Sequence, residues 1–184
     1  MSTPSHEQMA AHFEFARLAA QYHASGRFAA LSHCIPVAGN LLHHSIEMFL
    51  KCVLVKSLTL KELRTLGHNL TILWSRFTQI HPNPTHSALD AAVAELERFE
   101  RLRYPDSVVL EGMQVLFVIS KAHFSPLPSG PQPPYHLVLE DIDAVAKIAA
   151  QTSGLGRAAF TSGLSEHALQ FLRAHNVHPF YEEI

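Results

Sequence analysis

The stretch from Leu41 to Lys56, LLHHSIEMFLKCVLVK, decides the fold because two helical stripes run along it. The apolar stripe recurs at the spacing of one helical face and comprises Leu42, Ile46, Phe49, Leu50, Val53 and Leu54. His43, Glu47 and Lys51 follow at four-residue intervals and form a polar stripe beside the apolar one. The pattern predicts a central helix that the rest of the chain covers.

The composition indicates a compact globular protein. The chain has 184 residues, 47% hydrophobic and 16% charged, which is enough to build one core. Its net charge of -2 gives no overall attraction for nucleic acid. Neither a signal peptide nor an apolar run of ~18 residues is seen, and no membrane association is expected. Cys34 and Cys52 are read as reduced thiols, so we expect a cytoplasmic protein.

A first helix is predicted to precede the central one. Ser5 suits its N-cap, and Ser25-Gly26 is expected to end it after His23. Its predicted buried stripe comprises Met9, Phe13, Ala16 and Ala20. The central helix is expected to begin near Phe28 or just after Pro36 and to end at about Ser57.

Three shorter helices are predicted after the central one. They run from Thr59 to Gly67, from His68-Asn69 to His81, and from Ser87 to Leu102. Thr59 and Glu62 have the spacing of a capping box, in which each side chain accepts from a free amide. On the outer face of the last of these helices, Glu97 and Arg101 are spaced for an ion pair.

Residues 107–184 differ in composition from the residues before them. The β-branched run from Val108 to Ile119 predicts one or two strands, and Tyr135 to Leu139 is expected to complete a short β-hairpin across the proline-rich loop 121–134. Two C-terminal helices are predicted, one from Glu140 to Thr152 and one from Ser162 or Ser165 to about Asn176. We interpret residues 1–184 as a single domain, with a helical core over 6–106 and the hairpin, loop and C-terminal helices over 107–184.

Three motifs, in this order and spacing, resemble the HEPN superfamily (higher eukaryotes and prokaryotes nucleotide-binding). They are His44-Ser45-Ile46-Glu47 with Leu50-Lys51, Gly67-His68-Asn69-Leu70 with Leu73, and Leu102-Arg103-Tyr104-Pro105-Asp106. The resemblance implies a mainly α, up-and-down helical bundle that usually forms a homodimer. Many members are metal-independent ribonucleases; others bind RNA, a nucleotide or a partner such as a nucleotidyltransferase, in defence or toxin–antitoxin settings.

The sequence departs from the pattern of the active members at one position. Those members carry an Arg and, four to six residues later, a His that transfers a proton. Arg103 matches the Arg, but positions 108–110 are Val, Val and Leu, which cannot transfer protons. A non-catalytic binding module is therefore the preferred function. The alternatives are a metal-independent ribonuclease, with Arg103 and a His from elsewhere such as His123, and a structural scaffold protein.

The predicted contact surface comprises Glu47, Lys51, His68, Arg103 and Asp106. Each residue also has a structural interpretation. Glu47 and Lys51 form a helix pair worth ~0.2–0.5 kcal/mol if exposed. His68 suits a helix cap, and Arg103 with Asp106 suits an ion pair that fixes a turn.

The fourteen histidines raise the question of a metal site. His43 and His44 are adjacent on the central helix, about 100° apart, and are not expected to share one site. His167, His175 and His178 have no Cys, Asp or Glu to complete a cluster. The sequence therefore predicts neither a metal nor a cofactor.

Overall fold

The computed structural model describes residues 5–103, 115–118 and 135–175, together with positions 106 and 109. The predicted mainly α bundle is confirmed. Its α-helices are α1 (His6–Leu31), α2 (Ile35–Leu54), α3 (Leu60–Leu66), α4 (Leu70–Ile80), α5 (Asp90–Arg98), α6 (Leu139–Ser153), α7 (Arg157–Thr161) and α8 (Glu166–His175). Within the described residues, two 3₁₀-helices, η1 (Pro84–Leu89) and η2 (Phe99–Arg103), flank α5, and two strands, β1 (Val115–Val118) and β2 (Tyr135–Val138), precede α6.

Helix α2 occupies the centre of the bundle, as its apolar stripe predicts. Leu42, Ile46, Phe49 and Leu50 have no exposed surface. Helices α1 and α2 are antiparallel, because residues early in one contact residues late in the other. The contacts that show this order join Gln8 to Val55, His12 to Cys52, Ala19 to Ser45, and Gly26 to Leu42.

The prediction that Ser25-Gly26 ends the first helix is wrong, because α1 continues to Leu31. Gly26 faces α2, and a Cβ atom there would lie 2.8 Å from the Leu42 Cγ. Gly39 serves α2 in the same way, since its Cβ would lie 2.2 Å from the Phe99 Cδ1. Both glycines therefore allow close approach of neighbouring elements, and neither ends a helix.

The buried stripe of α1 is only partly the predicted one. Ala16 and Ala20 have no exposed surface, but Met9 and Phe13 are 39% and 49% exposed. The helix instead buries three polar side chains, His12, His23 and Arg27. Its core-facing side is thus formed by small residues and by polar groups that need partners.

The predicted caps are confirmed. Ser5 forms a capping box with Gln8, and Thr59 forms one with Glu62. Gly67 ends α3 with a φ of +67°, a conformation that favours glycine. The helix predicted from Ser87 to Leu102 is divided into η1, α5 and η2.

The predicted β-hairpin is wrong, because β1 and β2 pair in parallel, with Val115 opposite Tyr135 and Val118 opposite Val138. Parallel strands need a long crossover, and the sixteen residues of segment 119–134 are long enough for one. The two predicted C-terminal helices correspond to α6 and α8, and the sequence pattern missed the short α7 between them.

The hydrophobic core is shared by the N-terminal and C-terminal helices. Its buried residues form a cluster that extends from Ala16 to Leu172 and includes Ile142 and Phe160 from the C-terminal part. Among the described helices, none is long and apolar enough to cross a membrane.

Candidate functional site

A fully buried carboxylate, Glu47, holds three side chains at the surface of α2. Its Oε1 accepts from the Lys51 Nζ at 2.7 Å and lies 2.9 Å from the His68 Nδ1. Its Oε2 lies 3.3 Å from the His44 Nδ1. We call Glu47, His44, Lys51 and His68 the Glu47 cluster. The structure thus brings together three of the predicted contact residues, Glu47, Lys51 and His68.

The α3–α4 junction places His68 against α2. Gly67 ends α3 with a positive φ, and the Asn69 side chain caps α4 by accepting from the Ile72 amide at 2.9 Å. His68 lies between them with 69% of its side chain exposed. Since its Nδ1 faces Glu47, its Nε2 is directed away from that carboxylate and forms no hydrogen bond within the described residues.

The charge of Glu47 is stabilised by its partners. Burial alone would raise its pKa, but hydrogen bonds from His44 and Lys51, and the charges of Lys51 and His68, lower the pKa to about 2. Glu47 is therefore ionised throughout the physiological pH range and fixes the orientation of the side chains around it.

A second group of polar side chains adjoins this cluster on the α5 side. The His43 Nε2 lies 3.3 Å from the Glu97 Oε2 and 4.0 Å from the Glu100 Oε2. Glu97 Oε2 also accepts the amide hydrogen of Leu70, at 2.6 Å, and thereby caps the first turn of α4. The predicted outward pairing of Glu97 with Arg101 is therefore wrong, because this carboxylate turns inward.

His43 and His44 lie side by side but face different carboxylates, His43 toward Glu97 and His44 toward Glu47. Their ring centroids are 5.7 Å apart in an edge-to-face arrangement. One nitrogen of each ring and a Glu47 oxygen lie within 4.8 Å of one another, as do donor atoms of His43, Glu97 and Glu100.

The remaining predicted site residues are only partly described. Position 106 is exposed, so Asp106 is accessible to solvent. Arg103 ends η2, but its side chain lies outside the described part of the structure, and so does all of His123. The predicted pairing of Arg103 with Asp106, and the rescue of catalysis by His123, stay predictions.

The sequence pattern missed one buried polar cluster, formed by His23, Arg27 and Asp143. Asp143 Oδ1 lies 2.8 Å from the His23 Nε2, and its Oδ2 lies 3.4 Å from the Arg27 Nη1. The Arg27 Nη2 donates to the His175 carbonyl at 2.6 Å. We call these three side chains the Asp143 cluster; it connects α1, α6 and α8. The spacing of His23 and Arg27, one turn apart, was the available signal.

Cys52 is a packing residue. It is 1% exposed on α2, beside His12. Burial raises the pKa of its thiol to about 12. Cys34 is exposed, and both cysteines are free.

Comparisons of the chain with models of protein families, with curated proteins and with solved structures found no match.

Proposed function

We propose that this chain is a HEPN-like module that binds RNA or a nucleotide without cleaving it. The Glu47 cluster is the centre of the contact surface, and Arg103 and Asp106 are further contacts. The observation that carries the proposal is the exposed His68 imidazole fixed by a carboxylate with no exposed surface. The family resemblance extends the proposal to a homodimer in a defence or toxin–antitoxin setting.

The hydrogen-bonding capacity of the cluster suits a phosphate. An ammonium group has three N–H donors, and within the described residues Lys51 commits one of them, to Glu47. The His68 Nε2 becomes a second donor when the ring is protonated. Since the charge of Glu47 is already balanced by Lys51, the buried carboxylate does not by itself exclude an anion.

Binding is tested with the whole chain and two ligands, ATP and a single-stranded RNA. We expect either ligand to raise the melting temperature of the wild type, because binding stabilises the folded state. His68→Ala should abolish the shift. The matched control is His167→Ala, which removes an exposed imidazole from α8 and should leave the shift unchanged.

One observation favours a second candidate, the metal-independent ribonuclease. A carboxylate that holds the Nδ1 of a histidine leaves its Nε2 free to transfer a proton, which is the arrangement of a general acid or base. Lys51 lies on the same carboxylate oxygen and can stabilise the developing phosphorane charge. This arrangement supplies a histidine from a position outside the usual motif.

Cleavage of the same RNA in the presence of EDTA separates the two candidates. Cleavage by the wild type that is lost in His68→Ala supports the ribonuclease. Binding without cleavage supports the binding module. If the wild type neither binds nor cleaves, and instead retains a partner protein, the scaffold function gains support.

A further inference from the structure

We propose that His43, Glu97 and Glu100 form a binding site for a divalent first-row transition ion such as Zn²⁺ or Co²⁺. The site stands independently of RNA or nucleotide binding, because it uses none of the Glu47 cluster. Imidazole nitrogen and carboxylate oxygen are the donors that these ions accept.

The donor geometry needs little change to hold an ion. Donors at 2.0–2.2 Å from a tetrahedral Zn²⁺ lie about 3.4 Å from one another. The His43 Nε2 is 3.3 Å from the Glu97 Oε2 and 4.0 Å from the Glu100 Oε2. All three donors lie within 4.8 Å of one another, so a modest rotation of Glu100 would complete a three-ligand set.

Each donor is carried by a different element, and the site is open on one side. His43 lies on α2 with 1% of its side chain exposed, which fixes the ring between packed helices. Glu97 on α5 and Glu100 on η2 are 22% and 36% exposed. An ion would therefore have a rigid ligand beneath it and water on its outer face, with an entry path from solvent.

A supporting hydrogen bond already orients one of the ligands. The Leu70 amide donates to the Glu97 Oε2 at 2.6 Å, which positions this carboxylate beside the ring. Such outer contacts are typical of metal ligands. They also explain Glu97 as a helix cap, so Glu97 alone does not distinguish a metal site from a structural contact.

Glu100 is the residue that distinguishes a metal site from a structural contact. A distance of 4.0 Å is too long for a hydrogen bond to His43, and the His43 Nε2 already has Glu97 within reach. Within the part of the chain that the structure describes, no Lys or Arg forms an ion pair with Glu97 or Glu100. Glu100 caps no helix in the described structure, so its carboxylate is available to a cation beside His43 and Glu97.

The neighbouring titratable groups favour this site over the adjacent one. His44 and Glu47 with His43 form the other candidate set. There the Lys51 ammonium lies 2.7 Å from Glu47, and its positive charge opposes a cation. His44 faces Glu47, so the α5 side of His43 is left to the two carboxylates.

The test uses tag-free full-length protein and Co²⁺, whose visible absorption reports its coordination. We expect one Co²⁺ per chain with nitrogen and oxygen ligands, displaced by Zn²⁺. Glu100→Gln should weaken the affinity tenfold or more, while its melting temperature stays that of the wild type because Glu100 supports no packing. The control is Glu95→Gln on α5, whose carboxylate pairs with Arg98. It should bind Co²⁺ like the wild type.

Two results would overturn the proposal. One is a wild type without a stoichiometric Co²⁺ site. The other is Glu100→Gln protein that binds Co²⁺ as tightly as the wild type, which would assign the ion to other histidines. His43→Gln adds a second measurement: if it folds, it should lose the Co²⁺ spectrum completely.

Discussion

Glu47 and Asp143 are both buried carboxylates, with 0% and 1% of their surface exposed, but their partners differ. Asp143 faces His23 and Arg27, which are 0% and 1% exposed. Glu47 faces His68, which is 69% exposed. The Asp143 cluster is therefore closed to any ligand, while the Glu47 cluster presents a fixed imidazole to solvent. Burial of the carboxylate does not distinguish the two clusters; exposure of the histidine partner does.

The largest expected loss of stability comes from removing the carboxylate of the Asp143 cluster. Asp143→Ala leaves the Arg27 guanidinium buried without its carboxylate, and we expect the free energy of unfolding to fall by about 3–5 kcal/mol. Urea unfolding measures it. Glu166→Ala removes an exposed ion pair with Arg173 and should cost less than about 1 kcal/mol. Equal effects of the two substitutions would contradict a structural role for the Asp143 cluster.

Acid should remove part of the stability that Glu47 contributes, and this loss is expected to be intermediate in size. The pKa of Glu47 is about 2 in the folded state against 4.5 ordinarily, so its contribution is complete above pH 4.5 and lost as pH falls toward 2. At pH 3 this loss amounts to about 2 kcal/mol. Urea unfolding at pH 7 and pH 3 measures it. Glu47→Gln should lose that much less stability than the wild type over the same interval; an identical loss would refute the assignment.

The smallest effect on stability is expected at the exposed partner. His68→Ala removes a mostly exposed contact with Glu47 and should lower the free energy of unfolding by less than about 1 kcal/mol. His23→Ala, the matched change in the closed cluster, should cost about 2–3 kcal/mol because it leaves Asp143 less well paired. Thermal or urea unfolding of the two variants compares them. A larger loss at His68 than at His23 would reverse the comparison between the clusters.

Much of the fold could be predicted because it depends on local sequence patterns. Three features depend only on residues within one or two turns: the apolar stripe of α2, the capping boxes at Ser5 and Thr59, and the end of α3 at Gly67. The polar stripe of α2 also identified Glu47 and Lys51 as neighbours. These features need no knowledge of the tertiary structure.

The errors arose where tertiary contacts override local preference. Gly26 resembles a helix terminator until the position of Leu42 is known, and the two strands resemble a hairpin until their parallel direction is known. Glu97 reads as an outward helix residue until the Leu70 amide and His43 are placed beside it. The Asp143 cluster joins residues more than a hundred positions apart, beyond the reach of any local pattern.

The two cysteines differ in exposure, so their alkylation can report the rate at which the protein unfolds. Cys34 is exposed and open to an alkylating reagent, while Cys52 is buried beside His12 with a thiol pKa of about 12. Labelling at Cys52 should therefore wait until α1 and α2 separate. Counting alkyl groups per chain over time would then report the opening rate of the central helical pair in the unmodified sequence, without any introduced probe.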